Sequence, residues 1–122
     1  MGVICRRHGV LFAVDVAQTA GLVDVDIAEM KIDVVCFTGH KSLGGPTGTG
    51  GLIFGDRADA ARFSPLVRGG TGSRSEHEAQ PDFLPDKFES GTANAVGLAG
   101  LAAGVRWILA RGVDAVRQHE ME

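Results

Sequence analysis

Two charged side chains lie beside apolar stretches of the sequence, where a charge is rarely placed without a use. Asp15 comes near the end of an apolar run that starts at residue 11. Lys41 follows a second apolar run and precedes a loop crowded with glycine. A carboxylate buried in such a run costs free energy unless it meets a cation or hydrogen-bond donors, and a lysine is a poor choice there unless its amine is used. We therefore predict that Asp15 and Lys41 form the pair around which the chemistry of this chain is arranged.

Each of these residues also has an ordinary explanation when it is taken alone. Asp15 could be a cap or turn residue that follows a strand, and Lys41 could belong to a surface loop. Gln18 could be a solvated side chain. Their combined order is harder to explain in this way, because an Asp-x-x-Gln sequence is followed by Thr-Gly-His-Lys and then by a glycine-rich turn.

The elements that would position this pair can be predicted from the same sequence. Residues 10–16 and 32–37 are nearly continuous apolar runs, which predict buried strands. A short helix is expected between them, capped by Asp24 or Asp26. A strand, a helix and a strand in this order predict two parallel strands joined by a right-handed crossover. Both candidate residues would then lie at the carboxyl edge of the sheet, where α/β proteins bind ligands.

The remaining elements are predicted from periodicity and from glycine and proline positions. They are the end of a helix over residues 2–8, a strand over 51–54, one or two helical turns over 56–62, a long loop over 64–87, a largely buried helix over 93–109 and a further helix from 113 to 122.

Composition and charge narrow the class of protein. The chain has 122 residues, with 44% apolar and 22% charged side chains, which is ordinary for one soluble globular domain. A net charge of −3 without a basic cluster argues against a nucleic acid or a membrane as partner. The cysteines, Cys5 and Cys36, lie in apolar contexts and are expected to be reduced. We therefore expect a cytoplasmic protein.

Several other chemistries are disfavoured by spacing. The glycine-rich loop after Lys41 lacks a following Lys-Ser/Thr pair and leads into a strand, which excludes a P-loop and a dinucleotide fingerprint. The four histidines show no metal-ligand spacing with cysteine, so no metal is expected. Arg74, Glu76, His77 and Glu78 could line a substrate entrance or simply form an exposed charged loop.

Four motifs in order resemble the pyridoxal phosphate (PLP) site of the class V aminotransferases, and most closely the cysteine desulfurase and selenocysteine lyase branch. They are residues 15–21, 37–51, 69–72 and 88–94. The resemblance implies an α/β fold of fold type I, a three-layer α/β/α arrangement around a mostly parallel sheet that is incomplete here. Residues 1–122 would be the central part of the large PLP-binding domain, without its N-terminal part and the C-terminal small domain.

The resemblance also implies roles for individual residues. Lys41 would form the internal aldimine with PLP and then serve as the base for Cα proton transfer. Asp15 would pair with the pyridine nitrogen of PLP, and Gln18 would donate to its phenolic oxygen.

The phosphate of PLP would be bound by a second group of residues. By the same resemblance, Thr38 and His40 would hydrogen-bond the phosphate on either side of Gly39. The family residue that matches Thr92 reaches the phosphate of the neighbouring subunit, which implies a homodimer.

The implied activity is that of a PLP-dependent enzyme acting on amino acids, with cysteine favoured as substrate and C–S cleavage and sulfur transfer as the reaction. In the family, the substrate-binding arginine and the sulfur-accepting cysteine lie outside the motifs matched here, and neither Cys5 nor Cys36 is expected in the latter role. Two alternatives remain open. One is a segment of a class V aminotransferase, and the other is a catalytically silent fragment that associates through exposed strand edges.

Overall fold

The computed structural model describes residues 1–74 and 76–122, which form two compact units. The first unit comprises Met1–Ala58 and Ala95–Glu122, and the second comprises Asp59–Asn94. Five of the six predicted site residues belong to the first unit, and Thr92 belongs to the second.

The first unit is built on a small mixed sheet. Its strands are β1 (Ala13–Asp15), β2 (Val34–Thr38) and β3 (Gly50–Phe54), in the order β1-β2-β3. β1 and β2 are parallel, as predicted, whereas β2 and β3 are antiparallel. The unit is therefore of the expected α/β class, with a sheet that is only partly parallel.

The first strand is shorter than residues 10–16, the range that hydrophobicity predicts. Val10 N donates to Cys5 O at 2.9 Å, so Val10 belongs to the turn after helix α1 (Gly2–Arg7) and not to the sheet. That helix and its end agree with the prediction, and Gly9 follows it at a φ of 66°. The strand β1 is paired with a single described strand, β2, because it lies at an edge of the sheet.

The helix predicted between β1 and β2 is wrong. The segment forms one turn, in which Asp26 Oδ1 accepts from Glu29 N at 2.8 Å and Asp26 O accepts from Met30 N at 2.9 Å. Lys31 then takes a left-handed conformation with a φ of 58°, which prevents a second turn. Of the two proposed caps, it is therefore Asp26 that caps the turn.

Two helices complete the first unit. They are α2 (Ala95–Arg111) and α3 (Val113–Glu120), separated by Gly112 at a φ of 88°. Both were predicted, but α2 is not largely buried. Its buried residues are Gly97, Leu101 and Ile108, while Val96, Trp107 and Leu109 on its other faces are exposed. Within the described chain, α2 is packed along one face only.

In the described part of the chain, no single helix is long and apolar enough to cross a bilayer. Helices α2 and α3 reach that length and composition only when counted together across a 96° bend.

The core of the first unit is small and lies against β2. Val16, Ile32 and Val35 are buried together, and partly buried apolar residues from β1 and the crossover surround them. Among the strands of the described residues, β2 alone has neighbours on both sides and buried residues at its start.

A buried aspartate ties the three strands together at the opposite end from Asp15. Asp33 is 0% exposed, and its Oδ2 accepts from Phe12 N at 2.8 Å while its own N donates to Phe12 O at 2.8 Å. Gly55 N, just after β3, donates to Asp33 O at 2.8 Å. Arg57 Nε lies 3.7 Å from Asp33 Oδ1 and supplies the opposite charge. Asp33 therefore holds the start of β1 and the end of β3 against the start of β2.

The second unit is mostly irregular, as predicted for residues 64–87. One 3-10 turn, Ala60–Arg62, is capped by Asp59, and the other described residues of this unit contain no helix or strand. Lys87 is 5% exposed, and its Nζ donates to Ala60 O at 3.0 Å and to Ala61 O at 3.3 Å. The buried amine of Lys87 is thus occupied by the carbonyl groups of that turn.

Candidate functional site

The carboxyl edge of the parallel pair β1–β2 carries most of the predicted site residues. Asp15 is the last residue of β1 and is paired in register with Cys36 of β2. Thr38 is the last residue of β2, and Lys41 follows it by three positions. The parallel topology therefore brings the ends of both strands, and the polar residues that follow them, to one edge of the sheet.

Asp15 is exposed at this edge, so the expectation of a buried carboxylate is wrong for this residue. Its Oδ1 accepts from Ala17 N at 2.8 Å, which is the bond of a turn residue after a strand. β1 is an edge strand on which alternate residues are exposed, and this accounts for the position of Asp15. Among the described residues no ion pair joins Asp15 to Lys41, and Asp15 Oδ2 has no hydrogen-bond partner.

Gln18 lies in the turn that continues from Asp15. Val16 O accepts from Thr19 N at 3.0 Å and from Ala20 N at 2.8 Å, so the chain turns tightly directly after β1. Gln18 is exposed within this turn. Its amide therefore stays at the carboxyl edge, three residues from the carboxylate of Asp15.

A hydroxyl and an imidazole pair with each other after β2. Thr38 Oγ1 and His40 Nδ1 lie 2.8 Å apart, on either side of the buried Gly39. The direction of this hydrogen bond depends on the tautomer of His40. The two side chains thus form one polar group next to Lys41.

Lys41 begins a loop that is shaped by glycine. Its side chain is exposed, and its carbonyl oxygen accepts from Gly44 N at 2.8 Å. Gly44 has a φ of 68°, a conformation that favours glycine over other residues. Gly45 N then donates to Gly39 O at 2.7 Å, which folds the loop back to its start. The amine of Lys41 is therefore presented from a tight turn.

The third and fourth motifs come together in the second unit. Gly91 N donates to Gly70 O at 2.6 Å, and the Gln80 side chain accepts from Gly69 N while donating to Asp86 O. Thr92 follows this junction and is exposed. The third and fourth motifs, which are separate in the sequence, are thus in direct contact in the structure.

The charged segment of the second unit is exposed. Arg74, Glu76, His77 and Glu78 are all accessible, and the Arg74 guanidinium lies 5.5 Å from the centre of the Phe83 ring. Arg74 and His77 border an open cavity of about 490 Å³. The prediction of an exposed charged loop agrees with this arrangement. No group of three or more potential metal ligands exists in the described part of the chain.

Sequence reasoning missed three buried polar residues. Asp33, Thr49 and Lys87 are 0%, 8% and 5% exposed, respectively. Asp33 lies at the start of an apolar run, just as Asp15 lies near the end of one. The argument that a carboxylate beside an apolar run needs a binding partner therefore holds for Asp33 as well. Thr49 and Lys87 carried no comparable signal, because each lies in a polar or glycine-rich context.

The family of the chain follows from its similarity to known proteins. The family model for aminotransferase class V matches residues 1–122, so the chain belongs to that family.

This chain is similar to several cysteine desulfurases. A probable cysteine desulfurase of Pyrococcus abyssi is 36% identical over 98% of this chain and 30% of its own length. The apo cysteine desulfurase structure from Thermococcus onnurineus has a TM-score of 0.73 and 37% identity, over 92% of this chain and 28% of that one. The cysteine desulfurase CsdA of Escherichia coli has a TM-score of 0.76 and 31% identity, over 93% and 28%. The chain therefore spans less than a third of the length of these relatives.

Proposed function

We propose that this chain is the central part of the PLP-binding domain of a cysteine desulfurase-like enzyme, in which the Lys41 amine holds PLP. The observation that carries the proposal is the placement of Asp15 and Thr38 at the ends of adjacent parallel strands, with Lys41 shortly after the second, at one edge of the sheet. Family membership over residues 1–122 supports it.

The groups at this edge have the chemistry that PLP requires. The available Oδ2 of Asp15 would accept a hydrogen bond from the protonated pyridine nitrogen and keep it protonated, and the Gln18 amide would donate to the phenolic oxygen. The Thr38 hydroxyl and His40 imidazole would serve the phosphate, exchanging their mutual hydrogen bond of 2.8 Å for bonds to its oxygens. PLP, when bound, supplies an electron sink for charge that develops at the substrate Cα.

Lys41 and Thr92 have further roles in this proposal. Lys41 Nζ is the base that we assign to the Cα proton of the amino acid. Thr92 would reach the phosphate in a second copy of the chain, so that the enzyme is a homodimer. The substrate is cysteine, in keeping with the relatives, and the reaction is cleavage of its C–S bond with transfer of the sulfur to a thiol acceptor, which becomes a persulfide while the substrate becomes alanine. Both cysteines of the chain are free, which fits the cytoplasm.

The covalent claim can be tested on the purified chain because it contains only three lysines, Lys31, Lys41 and Lys87. PLP is added, its visible absorbance is scanned, and the adduct is fixed with borohydride and located by peptide mass spectrometry. We expect the absorbance and the label in the wild type and in the Lys31→Ala control, and neither of them in Lys41→Ala. A wild-type protein that does not develop the band, or a Lys41→Ala protein that keeps it, contradicts the proposal.

The reaction type requires a separate measurement. Cysteine is supplied to the PLP-loaded protein, and release of alanine is compared with formation of a keto acid. The assay contains an excess thiol reductant, which accepts the sulfur atom and releases it as sulfide while it is oxidised to its disulfide. Alanine with this sulfide supports the desulfurase, whereas a keto acid with transfer of the amino group supports a class V aminotransferase.

A second candidate function is that of an association module without catalysis. Val96 and Leu109 on α2 are 87% and 72% exposed, and β1 and β3 are the edges of the sheet. Exposed apolar faces and strand edges favour pairing with another chain. Sedimentation velocity without PLP tests this candidate. Self-association in a protein whose Lys41 takes no label would favour the module over the enzyme.

A further inference from the structure

The loop that carries Lys41 is closed at its base by Gly39 and Thr49. Thr38 and Gly50 are partners in the β2–β3 ladder, so residues 39–49 form the connection between the two strands. Gly39 N donates to Thr49 O at 2.8 Å and continues the pairing by one step. Lys41 lies two residues beyond this closure. Any movement at the base of the loop is therefore passed to Lys41 through a very short segment.

The Thr49 side chain is buried at this base. Thr49 is 8% exposed, and its hydroxyl donates to Pro46 O at 2.6 Å. The same hydroxyl lies so close to Gly39 that a Cβ at position 39 would collide with it. Thr49 thus contacts both the start of the loop and its middle.

Helix α2 holds the loop from the other side. Leu101, which is 8% exposed, places its Cδ1 3.0 Å from the Cβ position of Gly39 and 2.9 Å from that of Gly45. Gly45 N donates to Gly39 O at 2.7 Å within this contact. The base of the loop is therefore packed against Leu101 and bound internally by Thr49.

We infer that Thr49 is a positioning residue for the reaction of Lys41 with PLP, acting through the loop and without contact with PLP itself. The inference rests on the proposed function. Its physical basis is that a group reacts more slowly, and binds its ligand more weakly, when the segment that holds it samples several conformations. Without the hydroxyl of Thr49, the loop loses the hydrogen bond that ties its middle, at Pro46 O, to its base.

The test compares three substitutions by borohydride labelling. Thr49→Val removes the hydroxyl and keeps the shape, Thr49→Ser keeps the hydroxyl, and Thr47→Val makes the same change at an exposed position of the same loop. The measured quantity is the ratio of PLP-labelled to unlabelled Lys41 peptide at limiting PLP. We expect the ratio to fall about tenfold in Thr49→Val, and to stay within about twofold of the wild type in the other two.

The role of Thr49 is contradicted by either of two results. A wild-type ratio in Thr49→Val overturns it, and so does an equal loss in Thr47→Val, which would show general softening of the loop. If Thr49→Val does not fold by circular dichroism, Leu101→Val carries the test, because it loosens the same base from the helix side. A wild-type ratio in a folded Leu101→Val then overturns the inference. A wild-type chain without label on Lys41 refutes the proposed function itself, and the inference with it.

Discussion

The two ends of the β1–β2 pair hold the same kind of residue in opposite states. At one end Asp33 is fully buried, is bonded to β1 through Phe12 and meets Arg57 at 3.7 Å. At the other end Asp15 is exposed, and its carboxylate accepts a single hydrogen bond from the described residues, that of Ala17 N, two residues away. Asp33 stabilises the sheet, whereas Asp15 keeps a carboxylate oxygen available for a ligand.

The difference has an energetic reason. A buried carboxylate is tolerated when donors and a cation replace its water: Asp33 Oδ2 accepts from Phe12 N, whereas the buried Oδ1 has the charge of Arg57 at 3.7 Å but no hydrogen bond to the described residues. Such a group contributes to stability only while its partners stay in place. Asp15 has kept its water and is therefore able to exchange it for a ligand. We infer that stability is concentrated at the Asp33 end of the sheet and binding capacity at the Lys41 end.

The largest loss of stability is expected from the substitution Asp33→Ala, at the end of the sheet opposite Lys41. It leaves Phe12 N without its acceptor and Arg57 without its counter-charge, and it opens space in a fully buried position. We expect a loss of about 3 kcal/mol in the free energy of unfolding, because such buried partners are costly to separate. Urea denaturation followed by circular dichroism measures it.

The matched control for this substitution is Asp56→Ala, beside Arg57 in the sequence but exposed. We expect it to change the free energy of unfolding by less than about 0.5 kcal/mol. If the two variants lose equal stability, the Asp33 contacts do not fasten the sheet.

A second substitution, Gly39→Ala, tests the packing at the Lys41 end of the sheet. The new methyl group would collide with the Thr49 hydroxyl and lie 3.0 Å from Leu101 Cδ1. We expect a loss of about 2 kcal/mol in the free energy of unfolding, which is typical of overpacking a buried position.

The control for Gly39→Ala is Gly69→Ala, whose methyl group would have only an ordinary contact at 3.4 Å with Ser90 Cβ. It should be less harmful by at least about 1 kcal/mol. A Gly39→Ala protein as stable as Gly69→Ala would show that the base of the loop is not tightly packed.

The sequence was sufficient to predict the two strands that carry the site and the ends of the neighbouring helices, although not the segment that connects the two strands. Apolar runs indicated β1 and β2, and their order along the chain indicated parallel pairing, which the structure confirms. Glycine positions indicated the end of α1 and the break between α2 and α3. These predictions succeed because they rest on local conformational preferences and on a topological rule that depends on few residues.

Predictions that depended on distant partners were less successful. The burial of Asp33 is set by Phe12 and Arg57, which lie 21 residues before it and 24 residues after it, and no local pattern shows their approach. The exposure of α2 depends on what packs against each face, whereas its composition alone suggested burial on all sides. The role of Thr49 likewise arises from the loop that it closes.

A third prediction concerns Asp15→Asn, which keeps the shape and removes the charge. The amide oxygen can still accept from Ala17 N, so we expect the free energy of unfolding to change by about 0.5 kcal/mol or less. PLP, in contrast, should bind at least about tenfold more weakly, because the charged hydrogen bond to its ring nitrogen is lost. Titration with PLP, monitored by absorbance, measures the second effect. Equal affinities in the two proteins would remove Asp15 from the site.

The smallest effect on stability is expected from Lys41→Ala, although this variant should lose the PLP band completely. Lys41 is exposed, and its side chain makes no ion pair or hydrogen bond to the described residues. Its removal should therefore change the free energy of unfolding by less than about 0.5 kcal/mol without PLP. With saturating PLP the wild type alone should gain stability, because a ligand that binds only the folded state shifts unfolding by mass action. A Lys41→Ala protein that is stabilised by PLP as much as the wild type would show that PLP binds elsewhere, and the contrast between the two ends of the sheet would lose its functional meaning.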